Sequence, residues 1–200
     1  VMNRRLLIGT RNPSRIVMVQ KILHHSGVHL LTLDDLCIHA EVDEDQATTS
    51  ANAEKKARSY FALSQIPTLA MDGGLHIERF APDKQPGVLV KRIVKTDPVQ
   101  DENDITAYYQ EALRQVGGES PGTWTGSQAL AIGEQQVIVS SFTFQVWFTA
   151  QRHGDTSPGL SLDPLMIDPA SNRYYTEIPV EERPYYRHIQ EFLLEYASLL

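Results

Sequence analysis

The sequence predicts an α/β fold on a mixed β-sheet, and three features carry that prediction. Short apolar runs alternate with stretches of helical periodicity in the first half. The second half instead places apolar runs close enough together to form hairpins, so the sheet should not be purely parallel. The 200 residues, 42% of them hydrophobic, are enough for one large domain or two lobes sharing a core. A single domain over residues 1–200 is expected, with two lobes linked near residues 117–122.

Residues 5–9 (RLLIG) form an apolar run of strand length. Residues 10–14 (TRNPS) are turn and cap formers. Ile16, Val19, Ile22 and Leu23 then recur at helical spacing over 15–25, with Ser14 expected as the N-cap. Residues 29–33 read as a second strand and 41–49 as an acidic, polar loop. A helix over 50–65 carries Ala53, Ala57, Tyr60 and Phe61 on one face. Residues 66–70 (IPTLA) lead into Met71-Asp72-Gly73-Gly74, expected to be a turn that leaves Asp72 at the rim of the sheet. Residues 75–80 are strand-like and 82–87 are loop. A helix over 101–116 carries Ile105, Tyr108, Tyr109, Ala112 and Leu113. Residues 129–132, 136–141 and 142–148 read as strands, the last alternating Phe142, Phe144, Val146 and Phe148. Residues 154–164 are irregular, and an amphipathic helix closes the chain over 185–199.

Composition narrows the function classes. A formal net charge of -7 argues against a general nucleic-acid binder, which needs excess cations for phosphate. It leaves room for a small phosphorylated ligand. The single cysteine, Cys37, excludes an internal disulfide framework and fits a reducing compartment. No apolar run approaches the ~18 residues of a membrane span. The two N-terminal arginines lead straight into a strand-like run, so no signal peptide is expected and the expected location is the cytoplasm. Neither a G-x-x-x-x-G-K-[ST] loop nor a G-x-G-x-x-G fingerprint is present.

Several polar groups stand out, each with two readings. Thr10, Asn12 and Arg15 flank a helix start. Its free N–H groups and partial positive charge can seat phosphate, although an ordinary capped helix looks the same. Glu41, Asp43, Glu44 and Asp45 form either a solvated acidic loop or a source of oxygen ligands for Mg²⁺. Asp72 is either a turn former or, near a metal, a group that activates water for attack on phosphorus. Gly73 and Gly74 beside it would let a phosphate approach closely. Lys56 either faces solvent or reaches phosphate.

Taken in order, these segments resemble the inosine triphosphate pyrophosphatases, which hydrolyse noncanonical purine NTPs. The family's T-x-N-x-x-K opening is similar to Thr10-Arg11-Asn12-Pro13-Ser14-Arg15. Its E-x-G-x-T-F-x-E-N-A-x-x-K-A stretch resembles Glu44 through Ala57, and its A-D-D-S-G-L turn resembles Ala70 through Leu75. P-G-V-x-S-x-R resembles Pro86-Gly87-Val88 with Arg92. G-F-G-Y-D-P resembles Gly159 through Pro164. S-H-R resembles Tyr185-Tyr186-Arg187. Departures are visible: Arg15 for the first lysine, Arg173 and Arg183 for later ones, Ala51 for a glutamate and Met71 for the first aspartate. Leu160 and Leu162 replace an aromatic pair, and Tyr186 replaces a histidine.

The resemblance implies an elongated mixed sheet with flanking helices and a central nucleotide-binding cleft. It implies Asp72 as general base, and Glu44 with Asp72 at a Mg²⁺ site. Thr10, Asn12, Arg15, Lys56 and Gly73 would bind the triphosphate, with Asp163, Arg173 and Arg187 also contacting substrate. It further implies a homodimer. The altered acidic positions leave a second reading open, that of a nucleotide-binding or regulatory homologue with impaired catalysis.

Overall fold

The computed structural model describes residues 4–91 and 101–200. Seven strands form one mixed sheet in the order β2-β1-β3-β4-β5-β6-β7. They are β1 (Arg5–Ile8), β2 (His29–Thr32), β3 (Thr68–Ile77), β4 (Glu119–Gly133), β5 (Gln136–Thr149), β6 (Met166–Asp168) and β7 (Arg173–Tyr174). The helices are α1 (Pro13–Leu23), α2 (Thr49–Ser64), α3 (Glu102–Gln115) and α4 (Pro184–Glu195). β1 pairs in parallel with both β2 and β3, whereas β6 pairs antiparallel with β5 and β7. Both halves of the expected mixed sheet are therefore present. Parallel neighbours need a crossover, and α1 supplies one between β1 and β2.

The chain forms two compact units. One comprises Val1–Gly73, Gly126–Phe142 and Tyr185–Leu200; the other comprises Gly74–Thr125 and Thr143–Pro184. In the first, α2 lies on the sheet through a run of small side chains. Ala53, Ala57 and Phe61 pack on Ala70, Ala129 and Ala131, all buried. Alanine on both sides lets helix and strands approach closely. A larger residue at Ala53 or Ala57 would cost about 1–3 kcal/mol in overpacking. It would also move the helix face that carries Asn52 and Lys56. A second apolar cluster joins Leu7, Leu33, Tyr60 and Ile66. Gly9 fits a close approach where β1 ends. A Cβ there would lie 3.1 Å from Leu69 O, Thr68 Cγ2 and Tyr60 Cδ2.

In the second unit, the amphipathic α3 buries Ile105, Thr106, Tyr109 and Leu113. Trp124, Phe144 and Tyr175 form a stacked aromatic run, with ring centroids 6.4 Å apart at each step. Among the described residues, no helix is long and apolar enough to cross a membrane.

Four local expectations need correcting. The N-cap of α1 is Asn12, not Ser14, because Pro13 occupies the first helical position, where its fixed φ and missing N–H cost nothing. Residues 71–74 are not a turn: β3 runs unbroken through Asp72, Gly73 and Gly74, and Asp72 is buried. The pairs of strands read at 136–141 and 142–148 are one strand, β5. Residues 119–122 belong to β4, and the turn before it uses Gly117 and Gly118, both at positive φ. Gly and Pro in the sequence marked breaks there that extended backbone accommodates.

Candidate active site

The site begins where parallel strands end. β3 is in register with β1 only through Thr68 and Leu69, so Asp72 lies beyond the end of β1. Ligands of open α/β sheets gather outside such carboxyl ends. The chain leaving β1 forms a tight cap there. The Asn12 backbone N–H donates to Thr10 Oγ1 (3.1 Å), and Asn12 Oδ1 accepts from the Arg15 backbone N–H (3.2 Å). The Arg15 guanidinium then donates from Nη1 to the Met71 carbonyl (2.7 Å).

Lys56 reaches the same carbonyl from α2, with Nζ 2.7 Å from Met71 O. It also donates to Glu44 Oε1 and stands 3.6 Å from Asp72 Oδ1. Lys56 and Asp72 are both nearly fully buried. One ammonium thus faces two carboxylates. Burial pushes the Lys56 ammonium below its ordinary pKa, Arg15 adds to this, and Asp72 and Glu44 oppose it. Burial pushes the Asp72 carboxyl above its ordinary value, against the pull of Lys56, while Glu44 adds to the rise.

The acidic loop explains why Glu44 is the inward carboxylate. Along 41–46 the chain alternates: Glu41, Asp43 and Asp45 are exposed, while Val42, Glu44 and Gln46 are half-buried. That is the two-residue period of extended backbone. Asp45 instead pairs with Lys55 at the surface (2.7 Å).

Arg15, Glu44, Lys56 and Asp72 therefore come together, with Thr10 and Asn12 at the adjoining helix start and Gly73 next to Asp72. The other sequence-derived residues have different company. Asp163, in the second unit, is paired with Arg183 (Oδ2 to Nη1, 2.7 Å). Arg173 lies 3.4 Å from Glu182, and Arg187 pairs with Glu191 (2.8 Å) with its side chain 82% exposed. Arg92 lies outside the described residues.

Sequence reading missed Asn52, which is fully buried and donates from Nδ2 to Asp72 Oδ2 (3.1 Å). Its signal was available: Asn52 precedes Lys56 by four residues, one turn away on the same helix face. A different pattern carries no nucleophile. Gly118-Glu119-Ser120-Pro121-Gly122 spells G-x-S-x-G, but Ser120 is fully buried in β4 and not at a strand-to-helix turn.

In the second unit the charges are closed on themselves. Arg183 also donates to Ile178 O (3.0 Å) and Tyr175 O (2.7 Å), and lies 5.7 Å from the Tyr175 ring centroid. Burial pushes the Asp163 carboxyl up to about 6, against the pull of Arg183. Lys91 bonds both oxygens of Glu102 (2.8 and 3.0 Å), which also accepts from the Gly159 N–H (2.9 Å). Burial works to raise the Glu102 carboxyl, but these donors hold it below its ordinary value.

Fold and site together define an α/β protein with a buried carboxylate–ammonium cluster at the open ends of its parallel strands. It belongs to the Ham1 family, whose model matches residues 6–191. Over its whole length the chain is 24% identical to a dITP/XTP pyrophosphatase of Leptospira interrogans, covering 98% of that protein. A dITP/XTP pyrophosphatase of Aquifex aeolicus is 27% identical across 90% of this chain and 88% of its own. Among solved structures, a HAM1 protein from Coxiella burnetii superposes with a TM-score of 0.78 at 19% identity, covering 96% of this chain and 99% of its own. The fold expected from the resemblance is thereby borne out.

Proposed function

We propose that the chain is a Mg²⁺-dependent nucleoside-triphosphate pyrophosphatase acting on noncanonical purine NTPs, converting NTP and water to NMP and pyrophosphate. The observation that supports it best is the Glu44–Lys56–Asp72 cluster beside the cap formed by Thr10, Asn12 and Arg15. The relatives named dITP/XTP pyrophosphatase suggest the substrate class.

In this reading Arg15 and Lys56 bind the triphosphate as charges, while Thr10, Asn12 and the positive end of the α1 dipole orient it. Gly73 leaves room beside Asp72. Asp72 accepts a proton from water as the water oxygen bonds to phosphorus and pyrophosphate departs. A carboxyl raised by burial is better matched to that proton than an ordinary one. Two carboxylates, those of Glu44 and Asp72, face the single Lys56 cation and offer oxygen of the kind Mg²⁺ takes, although no group of three His, Cys, Asp or Glu converges among the described residues. Mg²⁺ commonly takes one or two carboxylates and completes its shell with water and substrate phosphate. When bound, it would neutralise phosphate charge. Base-side roles for Asp163 and Arg187, a substrate contact for Arg173 and a homodimeric state rest on the family resemblance alone, and a cytoplasmic setting rests on the sequence composition.

The neutral side chains Ala51 and Met71, where relatives of the resembled family carry acids, favour a second reading: a nucleotide-binding regulator with impaired catalysis. A pyrophosphate-release panel of dITP, XTP and the standard NTPs with Mg²⁺ separates the two. Wild type should release pyrophosphate, and Asp72→Asn should lower turnover by ~10²-fold or more, the scale of a lost general base. No release from any nucleotide, with triphosphate bound equally well with and without Mg²⁺, establishes the regulatory reading.

A further inference from the structure

Asn52 is an unusual residue for its place. It lies in the first turns of α2, fully buried, although asparagine is a poor helix former whose side chain competes with the backbone. Both ends of its amide are committed to tertiary partners. Oδ1 accepts from the Gln46 backbone N–H (3.0 Å), and Nδ2 donates to Asp72 Oδ2 (3.1 Å). These partners settle the amide's orientation, since a backbone N–H can only donate and a carboxylate can only accept. Asn52 therefore ties the segment that carries Glu44 to the strand that carries Asp72. It also makes the two oxygens of Asp72 unequal. Oδ2 is held, while Oδ1 is left toward Lys56 at 3.6 Å.

We infer that Asn52 is a positioning residue for the hydrolytic reaction, fixing Asp72 Oδ2 so that Oδ1 faces the reacting centre. This rests on the reading of Asp72 as the base. Asn52 itself touches neither phosphate nor water in the reaction. Its loss leaves the charges that bind the triphosphate in place but lets the Asp72 carboxylate rotate. The expected signature is a fall in kcat with little change in KM.

Two variants separate positioning from anchoring. Asn52→Ala removes both contacts. Asn52→Asp keeps an acceptor for the Gln46 N–H but exchanges the amide donor for a second carboxyl, which can hold Asp72 Oδ2 only by sharing a proton with it. With dITP and Mg²⁺, both variants should lose about tenfold or more in kcat, with KM within about threefold of wild type. Asp72→Asn is measured beside them, and thermal unfolding confirms that each variant is folded. Wild-type kcat in Asn52→Asp, or a change confined to KM, overturns the inference, leaving Asn52 as an anchor for the loop. If Asn52→Ala does not fold, Asn52→Leu, uncharged and of similar shape, takes its place beside Asn52→Asp. Should Asp72→Asn keep wild-type turnover, the base reading fails and the inference falls with it. Loss in Asp72→Asn alongside unaffected Asn52 variants rejects the inference and spares the base.

Discussion

Two groups of buried charge occupy the two units, and they are finished to different degrees. In the second unit Arg183 has a carboxylate, two carbonyls and an aromatic face, and Asp163 has Arg183. In the first unit, one Lys56 ammonium serves Glu44, the Met71 carbonyl and, at 3.6 Å, Asp72. Among the described residues Asp72 has a single hydrogen bond, from Asn52. A buried ion pair helps a fold only when its remaining hydrogen-bonding capacity is met. Arg183 spreads its donors over Asp163, Ile178 O and Tyr175 O, whereas Lys56 is divided between two carboxylates. The difference teaches where a ligand is expected: at the cluster in which one ammonium is shared between two carboxylates.

The largest effect should come from breaking the completed group. Arg183→Met removes the partner of a buried carboxylate and the donors to Ile178 O and Tyr175 O. It should lower unfolding free energy by about 3–5 kcal/mol, the range for halving a buried pair. Asp72→Asn should change stability by less than about 1 kcal/mol, because an amide can keep one polar contact in a cluster already short of partners. Urea unfolding of the two variants tests the contrast. Equal losses would erase the distinction between the units.

A smaller effect should appear in the pH dependence. The folded-state pKa of Asp163, about 6, lies above the ordinary value of 3.8. The folded protein then holds the extra proton between those limits. The group's contribution is fully present below the lower value and is lost as pH rises through the upper one. Wild type should lose on the order of 1–3 kcal/mol relative to Asp163→Asn between about pH 4 and pH 7. Parallel stability–pH curves for the two proteins would refute this.

The sequence made most of the first unit legible. β1, β2 and α2 were readable because apolar periodicity is local, as was α3 in the second unit, and α2 lies within one residue of its expected ends. The continuous β3 was not. Asp-Gly-Gly is turn chemistry by local preference, and only pairing in the sheet makes it extended. The site was legible through residue types in order: Arg15, Glu44, Lys56 and Asp72 converge although 57 positions separate the first from the last. What it withheld was which contacts saturate. Arg183 stood out only as a substituted lysine, yet its partner Asp163, 20 positions away, is fixed by tertiary packing. The alternation that turns Glu44 inward and Asp45 outward is visible in principle. It could be recognised only once the loop was known to be extended.

The smallest expected effect concerns Lys56, and it sharpens the contrast most. If the first unit's cluster is incomplete because it awaits a ligand, Lys56 stands where a metal would otherwise balance Glu44 and Asp72. Its ammonium is then both a competitor for the metal and a donor to phosphate. Lys56→Met keeps the apolar stem and removes the charge. Without nucleotide, the two carboxylates would lose the ammonium between them, and Mg²⁺ should bind several-fold to about tenfold more tightly, since 1.4 kcal/mol of relieved repulsion is tenfold. Triphosphate should bind several-fold more weakly, because a charged phosphate contact is gone. The changes should be opposite in sign. Titration calorimetry measures both, with Mg²⁺ alone and with a slowly hydrolysed triphosphate. If both affinities fall together, Lys56 simply holds the site's shape, and the first unit's charges are as structural as those around Arg183.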